Sequence, residues 1–138
     1  PLMPQGLPLW KPPYSRMTAI DMNTGDHAWM TPTGNGDRIR NHPMLRDLDL
    51  PPLGGEGIGG PVLTRTLLIS ALTAGGTDGG PRLIARDKAT GELLAEIPLP
   101  GRAIGAPMSY EVGGTQFIAL TIRGVRGGPP ELVALAVP

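Results

Sequence analysis

The stretch Gly55-Glu56-Gly57-Ile58-Gly59-Gly60 carries the spacing Gly-x-Gly-x-x-Gly. In a dinucleotide site that spacing lets backbone approach a pyrophosphate, provided a strand precedes it and a helix follows. Here Pro61 and another strand-like run follow, so the segment reads as a loop in a β structure. His27 and His42 are the only histidines, too few for a multi-histidine metal site. His27 falls on an outer strand facing water, and His42 in a long loop where it reads as a structural hydrogen-bonding residue. Ser15, Ser70 and Ser109 have no nucleophile-elbow context. Asp47 and Asp49 lack the dense ligand spacing of a calcium loop and read as solvated carboxylates. Asp78 sits among glycines that would let backbone carbonyls approach a cation. Arg38, Arg40, Arg123 and Arg126 are the cations placed to touch an anionic cofactor, although loop arginines are ordinarily just solvated. No residue is assigned a catalytic role.

The elements that would position these residues are short. The chain has 138 residues, 21 of them glycine and 17 proline. That content matches a low-complexity chain, but 40% of residues are hydrophobic and they fall in bounded runs. Disorder usually joins low hydrophobicity to high net charge, and here 12 basic residues balance 12 acidic ones. With no net field, nucleic acid is disfavoured as a partner. The absence of cysteine excludes disulfides, thiolate metal sites and cysteine nucleophiles. No apolar run reaches the eighteen or so residues of a helical membrane span, and the N-terminus lacks the order of a signal peptide. A first residue Pro1, with no methionine, leads us to expect a chain cut from something longer.

Internal repetition sets the fold. Ala-x-Asp-x-x-Thr-Gly occurs at Ala19, Asp21, Thr24 and Gly25, and again at Ala85, Asp87, Thr90 and Gly91, 66 residues on. The first copy continues to Trp29, and the second has Ala95 at that place. A weaker third copy surrounds Ala134. Gly59-Gly60-Pro61 is echoed by Gly105-Ala106-Pro107, and Thr66–Ser70 by Gln116–Leu120. Units of four short strands recurring every ~45–50 residues have the period of propeller blades. Strands are expected near 16–21, 26–31, 61–64, 66–71, 82–87, 92–98, 105–111, 115–122 and 131–137, each bounded by Gly, Pro, Asn or Asp. No stretch carries a sustained helical period.

The expected fold class is therefore all-β, a partial β-propeller of about two and a half four-stranded antiparallel blades. Its parts are an N-terminal arm at 1–15, a half blade at 16–31, an irregular loop at 32–58, a blade at 59–101 and an incomplete blade at 102–138. Asp21 and Asp87 are placed to accept backbone N–H bonds in their turns. Trp29 supplies a flat apolar surface for packing between sheets. A second insertion spans 74–81.

The order of these pieces, from Leu9-Trp-Lys-Pro-Pro-Tyr14 through Arg40-Asn-His-Pro43 and Asp87-Lys-Ala-Thr-Gly91 to Gly105-Ala-Pro-Met-Ser-Tyr-Glu-Val112, resembles the C-terminal part of the pyrroloquinoline-quinone (PQQ)-dependent dehydrogenases, especially the membrane glucose dehydrogenase-like branch. The resemblance implies an eight-bladed propeller that holds PQQ with calcium or magnesium, oxidises sugars or alcohols, faces the periplasm, and passes electrons to a quinone or cytochrome. The family's catalytic acid and main quinone-binding side chains come largely from earlier blades. By resemblance, Gly59 and Gly60 open an inner strand near the cofactor channel, and Asp78 is the acidic residue of the corresponding loop. The turn after 117–121 departs from the family's Gly-Gly-His-Gly pattern, reading Arg123-Gly-Val-Arg-Gly127. The remaining blades are the implied partners. Strand edges left open by the missing strands imply self-association of the isolated chain. A second reading is a noncatalytic propeller scaffold that binds protein partners through 31–60.

Overall fold

A computed structural model describes residues 1–76, 78–124 and 127–136. Among them lie nine strands and one four-residue helix: β1 Arg16–Ile20, β2 His27–Pro32, α1 Asp37–Arg40, β3 Val62–Leu63, β4 Leu67–Leu72, β5 Arg82–Asp87, β6 Leu93–Pro98, β7 Met108–Val112, β8 Thr115–Ile122 and β9 Glu131–Ala136. They form three antiparallel sheets, β1-β2, β3-β4-β5-β6 and β7-β8-β9, each a meander of neighbours in sequence. This is a partial β-propeller.

The strand positions follow the apolar runs, with two differences. The inner strand of the third sheet begins at Met108 rather than near 105, because Pro107 has no N–H for a ladder. The irregular loop contains α1, a single turn too short to register as a helical period. The stretch near 131–137 forms β9 as far as Ala136, with its last residue outside the described residues.

Within the middle sheet β4 and the first half of β5 are buried on both faces, and the sequence shows it. Strand β4 reads Leu67-Leu-Ile-Ser-Ala-Leu72, buried from Leu68 onward, a continuous run rather than the alternation of a one-sided strand. One face carries Ile69, Ala71 and Leu83 into a core shared with Leu99, Ala103, Leu120 and Ile122. Those residues join the second sheet to the third. The opposite face of β4 and β5 carries Leu68, Leu72 and Ile84, also buried. On the third sheet Leu120 and Ile122 of β8 enter the shared core, whereas the edge strand β7 is exposed along its length. Tyr110 stacks on Phe117 across the strand pair, with ring centroids 5.2 Å apart.

The two Thr-Gly repeats have the same register. Ala19 pairs with Trp29 in the first sheet and Ala85 with Ala95 in the second, and each ladder shifts register immediately after that alanine. The turns close alike. The Asp21 carboxylate accepts the Asn23 N–H at 2.8 Å. Asp87 accepts from Ala89 at 2.8 Å and Thr90 at 2.9 Å. These bonds hold the Asp87 carboxyl below its ordinary range, with the Thr90 N–H the largest cause.

Candidate functional site

The first sheet docks on the second through Trp29. Its indole N–H donates to the Lys88 carbonyl at 3.0 Å, and its ring lies over Gly91. A Cβ at position 91 would fall 2.6 Å from the ring, and Gly91 also has φ +76°, so glycine is required twice over. The repeat's glycine thus serves its own turn and also the seat for the preceding unit's tryptophan.

The second sheet meets the third through the glycine pair singled out in the sequence. Gly59 donates its N–H to the Ala71 carbonyl at 2.9 Å, and a Cβ there would stand 2.7 Å from the Gly105 carbonyl oxygen. At Gly60 an added Cβ would approach Ala106 Cβ at 3.3 Å. The two echoed segments, Gly59-Gly60 and Gly105-Ala106, therefore lie against each other, and close backbone approach accounts for Gly59.

Between these contacts the long loop is tied down rather than free. Tyr14 donates its N–H to Leu53 O, Thr33 to Ser15 O, Leu53 to Asn35 O, and Asn35 to Gly75 O at 3.1 Å. Arg40 donates through Nη1 to the Leu50 and Pro51 carbonyls, which makes it a structural cation. His42 Nε2 lies 3.0 Å from Gln5 O, and its Nδ1 accepts the Met44 N–H at 3.2 Å, the structural role expected of it. The centre of the loop is Glu56, which sequence reasoning missed. Its carboxylate accepts the Gly36 N–H at 2.9 Å and the Asp37 N–H at 3.3 Å, and it fills the space that Cβ atoms at Gly34 and Gly75 would occupy. One signal was available: Glu56 is the only charged residue in Leu53–Gly60, and an anion in a glycine run has unhindered amides around it.

Asp78 lies on the turn between β4 and β5. Its Oδ1 accepts the Gly80 N–H at 2.9 Å and pairs with Arg82 Nη2 at 2.8 Å. The Gly80 N–H is the largest cause holding its carboxyl below the usual range, with the charge of Arg82 adding to it. Asp78 is 64% exposed and Arg82 only 11%, so the carboxylate closes over an otherwise buried guanidinium. Asp47 and Asp49 are exposed in the outer loop, and His27 is exposed on β2. Arg123 is exposed beside Ile104 and Gly127. Arg126 lies outside the described residues. No cluster of three or more His, Cys, Asp or Glu residues occurs among the described residues.

On either side of Glu56 is an open cavity. One, of about 330 Å³, is lined by Tyr14, Arg38 and Ile39 among others. The other, of about 410 Å³, lies between the start of α1, the 73–75 segment, Gly79 and Arg102.

Two sheets that share one register, the first seated by its tryptophan on the turn glycine of the second, match neighbouring blades of a β-propeller. The sequence family described as glucose/ethanol/alcohol dehydrogenase, beta-propeller domain (PQQ), matches residues 1–118, and the chain belongs to that family. It is 35% identical over 128 residues to the quinate/shikimate dehydrogenase (quinone) of Acinetobacter baylyi, covering 90% of this chain and 15% of that protein. It is 36% identical over 116 residues to the glycerol dehydrogenase large subunit of Gluconobacter thailandicus, covering 83% and 15%. It is 30% identical over 124 residues to the quinoprotein glucose dehydrogenase of Escherichia coli, covering 89% and 15%. The chain spans about 15% of the length of these relatives.

Proposed function

We propose that this chain supplies blades to the propeller of a PQQ-dependent sugar or alcohol dehydrogenase. In that role it closes the ring and walls the cofactor channel, and it has no oxidising activity alone. Family membership over residues 1–118 carries the reading. The Trp29–Gly91 seat supports it, since this contact docks the first sheet on the second as neighbouring blades dock in a ring.

PQQ, when bound, supplies a two-electron acceptor for an alcohol. This chain's contribution is positional. Gly59 keeps the inner backbone of the second unit against that of the third, which sets the width of the channel wall. Asp78 pairs with Arg82 through Oδ1 and so fixes the turn between β4 and β5. Calcium or magnesium, implied with PQQ, would require donors beyond Asp78, because no group of three or more His, Cys, Asp or Glu residues occurs among the described residues. In this reading the parent faces the periplasm and is membrane-associated, as the family resemblance implies. None of the described helices is long and apolar enough to cross a membrane.

The mass of the native protein in its source cells tests the reading. A species several times 14.4 kDa that oxidises a polyol when loaded with PQQ is the expected result. A native species near 14.4 kDa would overturn the ring-closing role, and oxidation of glucose by the isolated chain with PQQ and calcium would overturn its inactivity alone.

A further inference from the structure

We infer that Asn35-Gly36 is a latent deamidation site held shut by the Glu56 carboxylate, and that its conversion to aspartate or isoaspartate releases the long loop. The inference is independent of the dehydrogenase reading, since it concerns covalent chemistry within the chain.

Asparagine is a thermolabile residue, most so before glycine, whose nitrogen has no neighbouring side chain to hinder attack on the amide carbon. The chain has three asparagines, and only Asn35 precedes glycine. In the reaction the Gly36 nitrogen attacks Asn35 Cγ. A C–N bond forms, the Cγ–Nδ2 bond breaks, and ammonia leaves carrying the proton of the Gly36 N–H. Water then opens the succinimide at either carbonyl, which leaves aspartate or isoaspartate and one new negative charge. Asn35 lines a cavity of about 250 Å³ together with Thr31 and Arg86, so water reaches the ring.

The fold cannot relieve this lability at position 36. Gly36 has φ +77°, and a Cβ there would stand 2.6 Å from the Gly54 carbonyl oxygen, so glycine is obligatory. Protection therefore comes from the surroundings of the pair. The Gly36 N–H donates to both carboxylate oxygens of Glu56, at 2.9 and 3.0 Å, and attack requires that nitrogen to lose its proton. A carboxylate at hydrogen-bond distance opposes the loss, because it repels the negative nitrogen, and Gly36 is buried, where charges are poorly screened. The Asn35 side chain is fixed as well, with Nδ2 donating to Gly76 O at 3.4 Å. Its main chain is held on both sides: the Asn35 N–H donates to Gly75 O at 3.1 Å, and Asn35 O accepts the Leu53 N–H at 3.0 Å.

Conversion undoes these bonds. A carboxylate at position 35 has no N–H for the Gly76 carbonyl and meets it acceptor to acceptor. Isoaspartate routes the main chain through Cβ and Cγ, which lengthens it by one carbon and takes the carbonyl that Leu53 uses out of the peptide path. The loop carrying Glu56 then loses its tie to the turn between β4 and β5.

The purified full-length protein is incubated at mildly alkaline pH, folded and in urea, as the native sequence, Glu56→Gln and Glu56→Ala. Deamidation at residue 35 is followed by tandem mass spectrometry of the tryptic peptide 17–38, in which Asn23, followed by threonine, is the internal comparison. The expected result is conversion tenfold or more slower in the folded native sequence than in urea, faster in folded Glu56→Gln, and near the urea rate in Glu56→Ala. Hydrogen exchange in β4 shows whether each variant stays folded; if Glu56→Ala does not, Glu56→Gln decides. Native conversion at the urea rate, or folded Glu56 variants as slow as the native sequence, would overturn the gate. So would a Glu56→Gln rate below the native one, which would make Glu56 a base for the reaction. Asn35→Asp, which installs one product directly, should speed exchange of the Leu53 amide tenfold or more; an amide as protected as in the native sequence would overturn the release of the loop.

Discussion

Trp29 reaches across 59 residues of sequence to donate its indole N–H to Lys88 O at 3.0 Å, and its ring closes on the glycine three residues beyond. This contact couples the first sheet to the second at the turn both repeats share. Gly91→Ala places a Cβ 2.6 Å from the ring and adds the strain of a positive φ. The expected loss is about 2–3 kcal/mol, within the range for overpacking. Trp29→Phe keeps most of the apolar contact and loses the hydrogen bond, at about 1 kcal/mol. Urea denaturation of the two variants checks the order; equal losses would show that the seat is not specific.

Gly59 and Gly60 stand side by side but differ in tolerance. Gly59→Ala meets the Gly105 carbonyl at 2.7 Å, whereas Gly60→Ala meets a methyl group at 3.3 Å. Gly59→Ala is expected to lower the thermal midpoint by several degrees, on the order of 1–3 kcal/mol, and Gly60→Ala by much less. Equal midpoints in the paired thermal melts would show that the contact with Gly105 does not set the requirement at Gly59.

Asp78 gives a pH dependence whose sign is fixed. Its carboxyl is held below the usual value, chiefly by the Gly80 N–H. The charged form is therefore favoured in the folded state. Its contribution is present above the unfolded pKa of about 3.9 and is lost as pH falls through the lower folded value. Asp78→Asn should melt below the native sequence at neutral pH, and the gap should narrow as pH drops below about 4. A gap that does not change with pH would show that charge is not the cause.

Glu56 organises the loop, and its loss should be local. Glu56→Ala leaves the Gly36 and Asp37 amides without their acceptor, at roughly 1–3 kcal/mol for a part-buried group. Hydrogen exchange at residues 36–37 should accelerate by tenfold or more, with amides in β4 unaffected. Uniform acceleration across β4 would instead make Glu56 part of the global fold.

The isolated 138-residue chain is expected to self-associate. Among the described residues the outer edge of β9 has no neighbour in its sheet, and Leu132 on that strand is 73% exposed, a combination that templates pairing with a second chain. Light scattering should show dimers or larger species, reduced by Leu132→Lys. A monomer at high concentration for the native sequence would refute this expectation.

Most of the architecture was written in the sequence. Short apolar runs, turn residues at fixed offsets and the recurrence of Ala-x-Asp-x-x-Thr-Gly located every strand, because β pairing between sequence neighbours is decided by local pattern and turn chemistry. Asp21 and Asp87 were readable for the same reason: their partners lie two or three residues away. Glu56 was not readable, since its significance depends on which amides the folded loops bring to it. The same holds for Gly59, whose need for a bare Cα comes from Gly105, 46 residues later. Trp29 divides between the two. Its type and place in the repeat marked it as a packing residue, and only the tertiary structure supplied Gly91 and Lys88 as its seat. Local propensity acts over a few residues; the contacts that join one sheet to the next are set by long-range packing that no single segment encodes.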